Sequence, residues 1–373
     1  MSKIKVMSIF GTRPEAIKMA PVIMKMRERP EFEPITVVTG QHREMLDQVL
    51  KIFKIVPDFD LNIMSESQTL SRITKRVMMG LDPIIEKCKP NIILVHGDTT
   101  TTFASGLSAF YHQVAVGHVE AGLRTWDKYS PYPEEMNRQM TDVLSDLYFA
   151  PTVTSKANLI KENHDVEKIF VTGNTAIDAL EQTVNDNYHH EILDSIKENN
   201  RIILVTMHRR ENQGEPMKKV FKAIKDVVDT YSDVEVVFPV HLNPKIQKLA
   251  KNTFGTDQKI HLTDPIDVID FHNIAARSYF IMTDSGGVQE EAPSIGKPVL
   301  VLRNTTERPE GIRAGTLKLV GTNPDVVSKM MFELLDNKKV YDKMANAKNP
   351  YGDGHAATRI LNAIVEWNNK NNE

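Results

Sequence analysis

A chain of 373 residues is longer than one ordinary domain and predicts two. Its formal net charge of −3 argues against a nucleic acid or an anionic membrane as a partner, and its single cysteine, Cys88, excludes an intrachain disulfide and a cysteine-rich metal site. The sequence has no signal-peptide h-region and no apolar stretch near the roughly 20 residues of a membrane span, so we expect a cytosolic protein without membrane contact.

Short β-branched runs alternate with longer helical patterns along the chain, which is typical of parallel sheets covered on both faces. Six strands are predicted in the first half, at Ile4–Phe10, Ile35–Thr39, Ile92–His96, Val114–Val119, Leu147–Ala150 and Ile169–Thr172. Six more are predicted in the second half, at Ile202–Thr206, Val234–Pro239, Ile260–Leu262, Tyr279–Thr283, Val299–Leu302 and Leu317–Val320. The clearest helical patterns are Glu15–Arg29, Leu70–Lys87, Thr101–Phe110, Pro216–Val228, Val288–Ser294 and Asp325–Leu335.

The polar segment Lys197–Arg201 separates the two sets of strands and predicts two doubly wound, Rossmann-like α/β domains facing a central cleft. We assign residues 1–171 to an N-terminal domain and residues 172–355 to a C-terminal domain. A final helix within 356–373 is expected to pack back on the first domain. Ligands of such sheets bind beyond the carboxyl ends of the strands, so the strand-to-helix junctions are the candidate sites.

The first junction carries cations at the start of a helix. Gly11 permits a tight turn, and Pro14 suits the first position of a helix. Arg13 and Lys18 then lie near a helix N-terminus, where backbone N–H groups favour an anion. The alternative is that Arg13 only pairs with a surface carboxylate. The segment is not Gly-x-Gly-x-x-Gly, so no dinucleotide cofactor is expected.

A second junction, residues 283–291, combines glycines with a hydroxyl and an acid. Gly286 and Gly287 let the backbone approach a ligand, and Ser285 can cap the helix or donate to a phosphate. Glu291 follows one turn later, where its carboxylate could accept hydrogen bonds from both hydroxyls of a ribose. A plain helix cap would explain Ser285 and Gly286, but it leaves the acid unexplained.

Three carboxylates fall at neighbouring strand and helix ends. Asp98 follows the third predicted strand, Glu120 follows the fourth, and Glu134 opens a helix. An acid at such a position is, taken singly, more often a helix cap or a solvated residue than a catalytic group. Together they could converge at one site, where crowded carboxylates separate in pKa and suit acid and base catalysis on a sugar.

The first strand of the second half ends in a histidine and two arginines, His208, Arg209 and Arg210. A pyrophosphate requires compensating cations, and arginine offers bidentate geometry, although Arg210 alone could form a surface ion pair. His118 and His241 are less informative. The sequence has no His-x-x-x-His pair or acid-rich loop, so no metal site is expected.

Six segments of the chain together resemble the non-hydrolysing UDP-N-acetylglucosamine (UDP-GlcNAc) 2-epimerases of bacteria. They are residues 10–16, 97–99, 118–124, 133–138, 208–212 and 284–293, and the resemblance runs in order from Val6 to about Thr358. It implies the GT-B fold and no cofactor. It also implies reversible conversion of UDP-GlcNAc to UDP-N-acetylmannosamine (UDP-ManNAc), by anti elimination of UDP to 2-acetamidoglucal and re-addition. The product would supply ManNAc units for a cell-surface polysaccharide.

The resemblance also implies roles for individual residues. Asp98, Glu120 and Glu134 match the acid and base carboxylates, and His208 matches a group that assists the departing phosphate. Phe271 matches the residue beside uracil. The remaining matches to UDP contacts are Arg13, Lys18, Ser285, Gly286, Gly287, Glu291 and Arg308.

Some relatives require a second UDP-GlcNAc as an activator, bound beside the substrate. Gln41, His42, Arg209 and His241 match positions associated with that regulatory site. Glu44 and Ser67 stand where the regulated relatives have Gln and Arg, which argues against the same regulation here. We also expect a homodimer.

Three other functions fit parts of the pattern. A GT-B glycosyltransferase shares the fold and donor, but three acids exceed what sugar transfer needs. A hydrolysing relative would release UDP and free ManNAc. A non-catalytic binding protein would use the arginines and the Ser-Gly-Gly segment but would have no use for Asp98, Glu120 and Glu134.

Overall fold

The structure is a computed structural model that describes residues 3–40, 43–65, 68–255, 257–306 and 308–372, with only the backbone at Glu44 and Asn372. The chain divides into two compact units. Unit 1 comprises Met1–Ala179 and Tyr351–Glu373, and unit 2 comprises Leu180–Pro350. Within these described ranges, no helix is long and apolar enough to cross a membrane.

Strands and helices alternate along unit 1. The strands are β1 (Ile4–Phe10), β2 (Phe32–Val38), β3 (Phe59–Asp60), β4 (Ile92–His96), β5 (Ala115–Val119), β6 (Leu147–Ala150) and β7 (Ile169–Val171). The helices are α1 (Arg13–Arg27), α2 (Arg43–Ile52), α3 (Leu70–Cys88), α4 (Thr100–Tyr111), α5 (Glu134–Leu144), α6 (Val153–Lys161), α7 (Thr175–Thr183, which continues into unit 2) and, at the end of the chain, α16 (Ala356–Asn372).

The strands of unit 1 form one parallel sheet. Among the described residues it has seven strands in the order β3-β2-β1-β4-β5-β6-β7. On one face, Met19 and Ile23 of α1 pack with Ile360 and Ile364 of α16 in a shared core. The strand order reverses between β1 and β4, so the loops after these two strands leave the sheet side by side, which is where such sheets bind ligands.

Unit 2 repeats this alternation. Its strands are β8 (Arg201–Thr206), β9 (Val234–Pro239), β10 (Ile260–Thr263), β11 (Phe280–Thr283), β12 (Val299–Val301) and β13 (Leu317–Leu319). Its helices are α8 (Glu191–Ser195), α9 (Glu215–Val228), α10 (Pro244–Phe254), α11 (Val268–Arg277), α12 (Gly286–Glu291), α13 (Pro309–Ala314), α14 (Pro324–Asp336) and α15 (Lys338–Ala345).

The sheet of unit 2 is also parallel, and its described strands, six in number, lie in the order β10-β9-β8-β11-β12-β13. Helix α9 shows why the helices cover it: Met217, Val220, Phe221 and Ile224 recur at helical spacing and are all buried in the core on that face. The order reverses between β8 and β11, so the loops after β8 and β11 are the paired junctions of this unit.

The predicted strands are present with end positions within a few residues of those expected. The sequence missed β3 (Phe59–Asp60), because two residues are too short for an alternating pattern. The helix predicted over Val288–Ser294 is a short α-helix, Gly286–Glu291, followed by a 3₁₀ turn, Ala292–Ile295. Pro293 has no N–H to continue the α-helical hydrogen bonds.

The unit boundaries differ from the expected ones. Unit 1 extends to Ala179 rather than to residue 171, and the chain returns to it at Tyr351 rather than at 356. Two contacts account for this. The Asn174 N–H donates to the Tyr351 carbonyl (2.7 Å), and Asp178 accepts from the first N–H groups of α16, at Ala356 (3.2 Å) and Ala357 (2.8 Å).

Candidate active site

A buried carboxylate joins the two loops at the reversal point of unit 1. Glu15 accepts hydrogen bonds from the N–H groups of Gly11 (3.1 Å) and Thr12 (2.8 Å), in the loop after β1. Its other oxygen accepts from the hydroxyls of Thr99 (2.7 Å) and Thr102 (3.1 Å), after β4. Burial raises the pKa of Glu15, although these hydrogen bonds oppose the rise. The loops before Arg13 and around Asp98 are thereby held together.

Asp98 is held by helix α5. Arg138 donates to the Asp98 carboxylate, and the Asn137 side-chain amide donates to the Asp98 carbonyl (2.9 Å). Arg138 also donates to Glu135 (3.3 Å), which is fully buried. Although burial would raise the pKa of Glu135, hydrogen bonds from Thr125, Gln139 and Trp126 outweigh it and hold that pKa below its usual range. The charge-assisted hydrogen bond from Arg138 therefore holds the Asp98 carboxylate in a fixed direction.

Glu120 lies just after β5 with φ of +69°, a left-handed backbone that is uncommon for a non-glycine residue. Its carboxylate binds the ammonium of Lys18, and the Asn174 amide also donates to it (3.2 Å). Both members of the Glu120–Lys18 pair are largely buried. The predicted phosphate ligand Lys18 is thus paired with a predicted acid or base.

The other predicted site residues of unit 1 lie in the loop after β4 and at the starts of α5 and α1. A Cβ placed on Gly97, next to Asp98, would lie 3.7 Å from an oxygen of Glu120, so the loops carrying the two acids are adjacent. Glu134 is the half-buried first residue of α5, the helix that binds Asp98, and its carboxylate makes no hydrogen bond to the described residues. Arg13 is exposed at the N-terminus of α1.

A buried polar network beneath these acids was not predicted from the sequence. His118 contacts Asp142 through Nδ1 (2.6 Å) and the Gly97 carbonyl through Nε2 (2.7 Å). Arg124 bridges Asp142 (2.5 Å) and Glu162 (2.6 Å). Burial alone would raise the pKa of Asp142, but His118 and Arg124 outweigh it and hold that pKa low. His118 and Arg124 belong to one of the matching segments, which was the available signal.

In unit 2, the fully buried Asp284 joins the loops after β8 and β11. It accepts hydrogen bonds from the N–H groups of His208 (3.0 and 3.1 Å) and Arg209 (2.9 Å) and from the Asn212 side chain (2.9 Å). The His208 ring also approaches it, with Nδ1 at 3.2 Å. The sequence-based prediction passed over Asp284, which determines where His208 points.

His208 projects from this support with 41% of its side chain exposed. Its ring stacks at 6.1 Å on that of His241. Burial lowers the pKa of His208, the Asp284 charge opposes this, and Arg209 and His241 add to the lowering. A neutral, accessible imidazole beside a buried carboxylate is suited to exchanging a proton with a phosphate oxygen.

The N-terminus of α12 lets other groups come close to its backbone. Ser285 precedes the helix, and its side chain makes no cap hydrogen bond, so the hydroxyl is not used by the helix itself. A Cβ added to Gly286 would lie 3.0 Å from the Arg308 guanidinium carbon, so the missing side chain lets Arg308 pack against the helix start. Arg308 also donates to Glu290 (2.7 Å). Two glycine N–H groups, a hydroxyl and a guanidinium are thus concentrated at one point.

The far end of α12 carries Glu291, a largely buried carboxylate. Its oxygen lies 3.7 Å from Nε2 of His272, whose other nitrogen is hydrogen-bonded to Thr183 (2.6 Å). The half-buried Phe271 packs against the apolar cluster on that face of the sheet. These contacts fix the positions of Glu291 and Phe271 relative to the start of α12.

The predicted regulatory residues are described only in part. Gln41, His42 and Ser67 lie outside the described residues, as does the side chain of Glu44. Arg209, in unit 2, has a buried Nε without a hydrogen-bond partner in the described part of the chain. Among the residues that the structure describes, no cluster of His, Cys, Asp and Glu could hold a metal ion.

Comparison with known proteins gives a consistent result. The family described as "UDP-N-acetylglucosamine 2-epimerase" matches residues 24–365. The Bacillus subtilis protein of that name is 60% identical over 98% of this chain and 96% of its own length. A structure of S. aureus MnaA with UDP aligns with a TM-score of 0.86 at 55% identity, over 98% of this chain and 97% of that one.

The Neisseria meningitidis UDP-GlcNAc 2-epimerase, solved with bound UDP-GlcNAc, also has a TM-score of 0.86, at 45% identity. The alignment covers 97% of this chain and all of that one. Together with the two parallel-sheet units, these similarities confirm the predicted fold class, GT-B with two Rossmann-like domains.

Proposed function

This chain belongs to the UDP-N-acetylglucosamine 2-epimerase family and is an isomerase, and we propose that it interconverts UDP-GlcNAc and UDP-ManNAc by elimination and re-addition of UDP. The observation that carries the mechanism is the grouping of Asp98, Glu120 and Glu134 around the loops after β4 and β5 and the start of α5. Binding alone would not require these three acids.

The chemistry of the sugar explains why acids are needed. The hydrogen on C2 has no adjacent carbonyl to acidify it, and the acetamido group makes oxidation at C2 difficult. When the C1–O bond breaks, its electron pair leaves on the β-phosphate, positive charge develops at the ring, and a carboxylate can remove the C2 proton. The C1=C2 bond of 2-acetamidoglucal then forms. Protonation of C2 from the opposite face and return of UDP to C1 give the epimer.

The groups assigned to this reaction have suitable surroundings. Asp98 is bound by Arg138 and Glu120 by Lys18, and these ion pairs hold the two carboxylates in place. His208, beside Asp284, is assigned to the departing phosphate.

UDP is assigned mainly to α12 and its neighbours. Backbone N–H groups at Gly286 and Gly287, with Ser285 and Arg308, favour the pyrophosphate. Glu291 is assigned to the ribose. Phe271 is assigned to uracil, and Arg13 and Lys18 to the phosphates.

Homodimer formation is part of the proposal, and an apolar groove on unit 1 supports it. Phe103, Leu107, Met136, Met140 and Val143 line a groove of about 340 Å³ between α4 and α5. Val143 is 76% exposed, and a second copy covering it would remove this apolar surface from water. Val143→Lys should shift sedimentation from dimer to monomer, and an unchanged dimer would place the interface elsewhere.

We also propose that a second UDP-GlcNAc acts as an activator, that the protein is cytosolic, and that its product is used for a cell-surface polysaccharide. The activator can be tested directly. If UDP-ManNAc is converted only after a trace of UDP-GlcNAc is added, the regulatory site is functional. Full activity on UDP-ManNAc alone would refute the proposed activator site.

The decisive experiment is incubation with UDP-GlcNAc in deuterated water, followed by NMR. UDP-ManNAc carrying deuterium at C2 is expected, whereas free ManNAc would indicate a hydrolysing enzyme and no reaction a transferase or a binding protein. A route through a C3 ketone could also exchange C2, so ¹⁸O is placed in the bridging position of the substrate. Scrambling into non-bridging oxygens supports C1–O cleavage, and epimerisation with the label retained would overturn the elimination mechanism.

A further inference from the structure

The ring of a buried histidine at the end of β4 makes no hydrogen bond to the described residues. His96 is 3% exposed, and neither of its ring nitrogens has a hydrogen-bond partner in the described part of the chain. Its Nε2 lies 3.7 Å from an oxygen of Glu120, too far for a hydrogen bond but with no room for a water between them. Nearly all buried polar groups are hydrogen-bonded, so this exception requires an explanation.

The charged and titratable groups that face His96 come from helix α1 and from the end of β5. Glu120 follows β5, Lys18 comes from α1, and His118 lies on β5. Burial lowers the pKa of His96 to about 3, the Glu120 charge opposes this, and Lys18 and His118 add to the lowering. His96 is therefore a neutral imidazole, which carries one N–H donor and no charge.

Lys18 has two partners in the proposed reaction. In the structure its ammonium binds the same Glu120 oxygen that faces His96. The substrate would bring a diphosphate, whose charge competes with Glu120 for Lys18. When Lys18 turns to the phosphate, Glu120 loses a charged donor while it must keep its position.

We propose that His96 is a positioning residue for Glu120, whose Nε2–H closes the 3.7 Å gap into a hydrogen bond when substrate draws Lys18 away. This inference rests on the acid–base role proposed for Glu120. A neutral donor holds the carboxylate in place but stabilises its ionised form less than an ammonium does. The exchange of donors therefore makes Glu120 a stronger base once substrate is bound.

The first test is the pH dependence of kcat, which reports the enzyme–substrate complex. His96→Leu removes the donor, so the acid limb should move up by about one pH unit, because the ionised Glu120 loses a hydrogen bond. His96→Gln restores an N–H near Nε2 and should return the limb to its wild-type position. Ser8→Ala is the matched control. The Ser8 hydroxyl, on β1 of the same sheet, is also buried without a hydrogen-bond partner in the described part of the chain, and its loss should not move the limb.

The second test uses the unaltered protein, so it holds even if His96→Leu fails to fold. In ¹⁵N-histidine spectra, with His96 assigned by the loss of its signals in His96→Gln, the ring should be neutral at pH 6–8 with the proton on Nε2. The Nε2 signal should shift when UDP is added. A proton on Nδ1, or no response to UDP, would overturn the proposal.

Glu120→Gln separates this inference from the function on which it rests. It should lower kcat by about 10²–10⁴-fold, and unchanged kcat would refute the role of Glu120 itself. If Glu120→Gln loses activity while His96→Leu keeps the wild-type pH profile, only the positioning role proposed for His96 is refuted.

Discussion

Replacing Asp284 by Asn tests the support beneath His208 with little change of shape. The carbonyl oxygen of the new side-chain amide can keep the bonds that Asp284 Oδ2 accepts from Arg209 (2.9 Å) and Asn212 (2.9 Å). The NH₂ group of that amide then faces His208 Nδ1, which lies 3.2 Å from the other oxygen of Asp284. The ring must accept there and carry its proton on Nε2, and the charge that stabilised the protonated ring is gone.

The size of the effect follows from that distance. Unit charges 3.2 Å apart attract by about 1.3 kcal/mol in bulk water and about 5 kcal/mol at an effective dielectric constant of 20. Because 41% of the His208 side chain is exposed, the lower part of this range applies, about 1.5–3 kcal/mol. If His208 bears charge in the transition state, kcat should fall about 10- to 150-fold.

Initial rates of UDP-ManNAc formation, measured by NMR across pH, check this expectation. Loss of the Asp284 charge lowers the pKa of His208 further, so any limb due to protonated His208 should move to lower pH. Asp257→Asn is the control, because Asp257 pairs with Lys225 elsewhere in unit 2 and its loss should leave kcat unchanged. A wild-type kcat and pH profile in Asp284→Asn would refute the assistance of His208 by Asp284.

Three further outcomes are expected. Glu291→Ala should weaken UDP binding by about 1–3 kcal/mol in calorimetry, and an unchanged affinity would remove Glu291 from the site. Asp98→Asn and Glu134→Gln should each lower kcat by about 10²–10⁴-fold with little change in UDP affinity, whereas a loss confined to UDP affinity would contradict acid–base roles. Between its folded pKa of about 3 and its unfolded value near 6.5, His96 binds more protons in the unfolded chain, so its contribution to stability falls as pH drops below 6.5. At pH 5 the buried His96 lowers the free energy of unfolding of the wild type by ~2 kcal/mol relative to pH 7.5, and this change should be absent in His96→Gln. Denaturation followed by the fluorescence of the two tryptophans, both in unit 1, should detect the difference. Parallel pH dependence in the two proteins would contradict the burial of a neutral His96.

The sequence predicted the fold well because strands buried on both faces leave continuous apolar runs, as at Ile92–His96. It also located the strand-to-helix junctions, where glycine and cap residues are distinctive. It missed β3, which is too short to show a period. It placed the unit boundary early because Asp178, which caps α16, is recognisable only once the end of the chain is seen to return to unit 1.

The site was harder to predict for a different reason. Asp98 and Glu120 stand out in the sequence, but their cation partners Arg138 and Lys18 lie 40 and 102 residues away along the chain. His96 is distinguished by the hydrogen bonds that its ring lacks within the described ranges, which no sequence pattern records. Spacing along the chain therefore indicates where polar groups emerge from a sheet, but not which of them pair.

The two carboxylates that the sequence-based prediction passed over occupy equivalent positions. Glu15 joins the loops after β1 and β4, and Asp284 joins the loops after β8 and β11, in each case where the strand order reverses. At such a point two loops leave adjacent strands for opposite faces of the sheet, so backbone N–H groups remain without partners in the ladder. One buried carboxylate has enough lone pairs to accept from both loops at once. Each unit therefore fixes the loops at its reversal point with an acid that need not touch a ligand, which leaves Asp98, Glu120 and His208 available for the roles proposed for them.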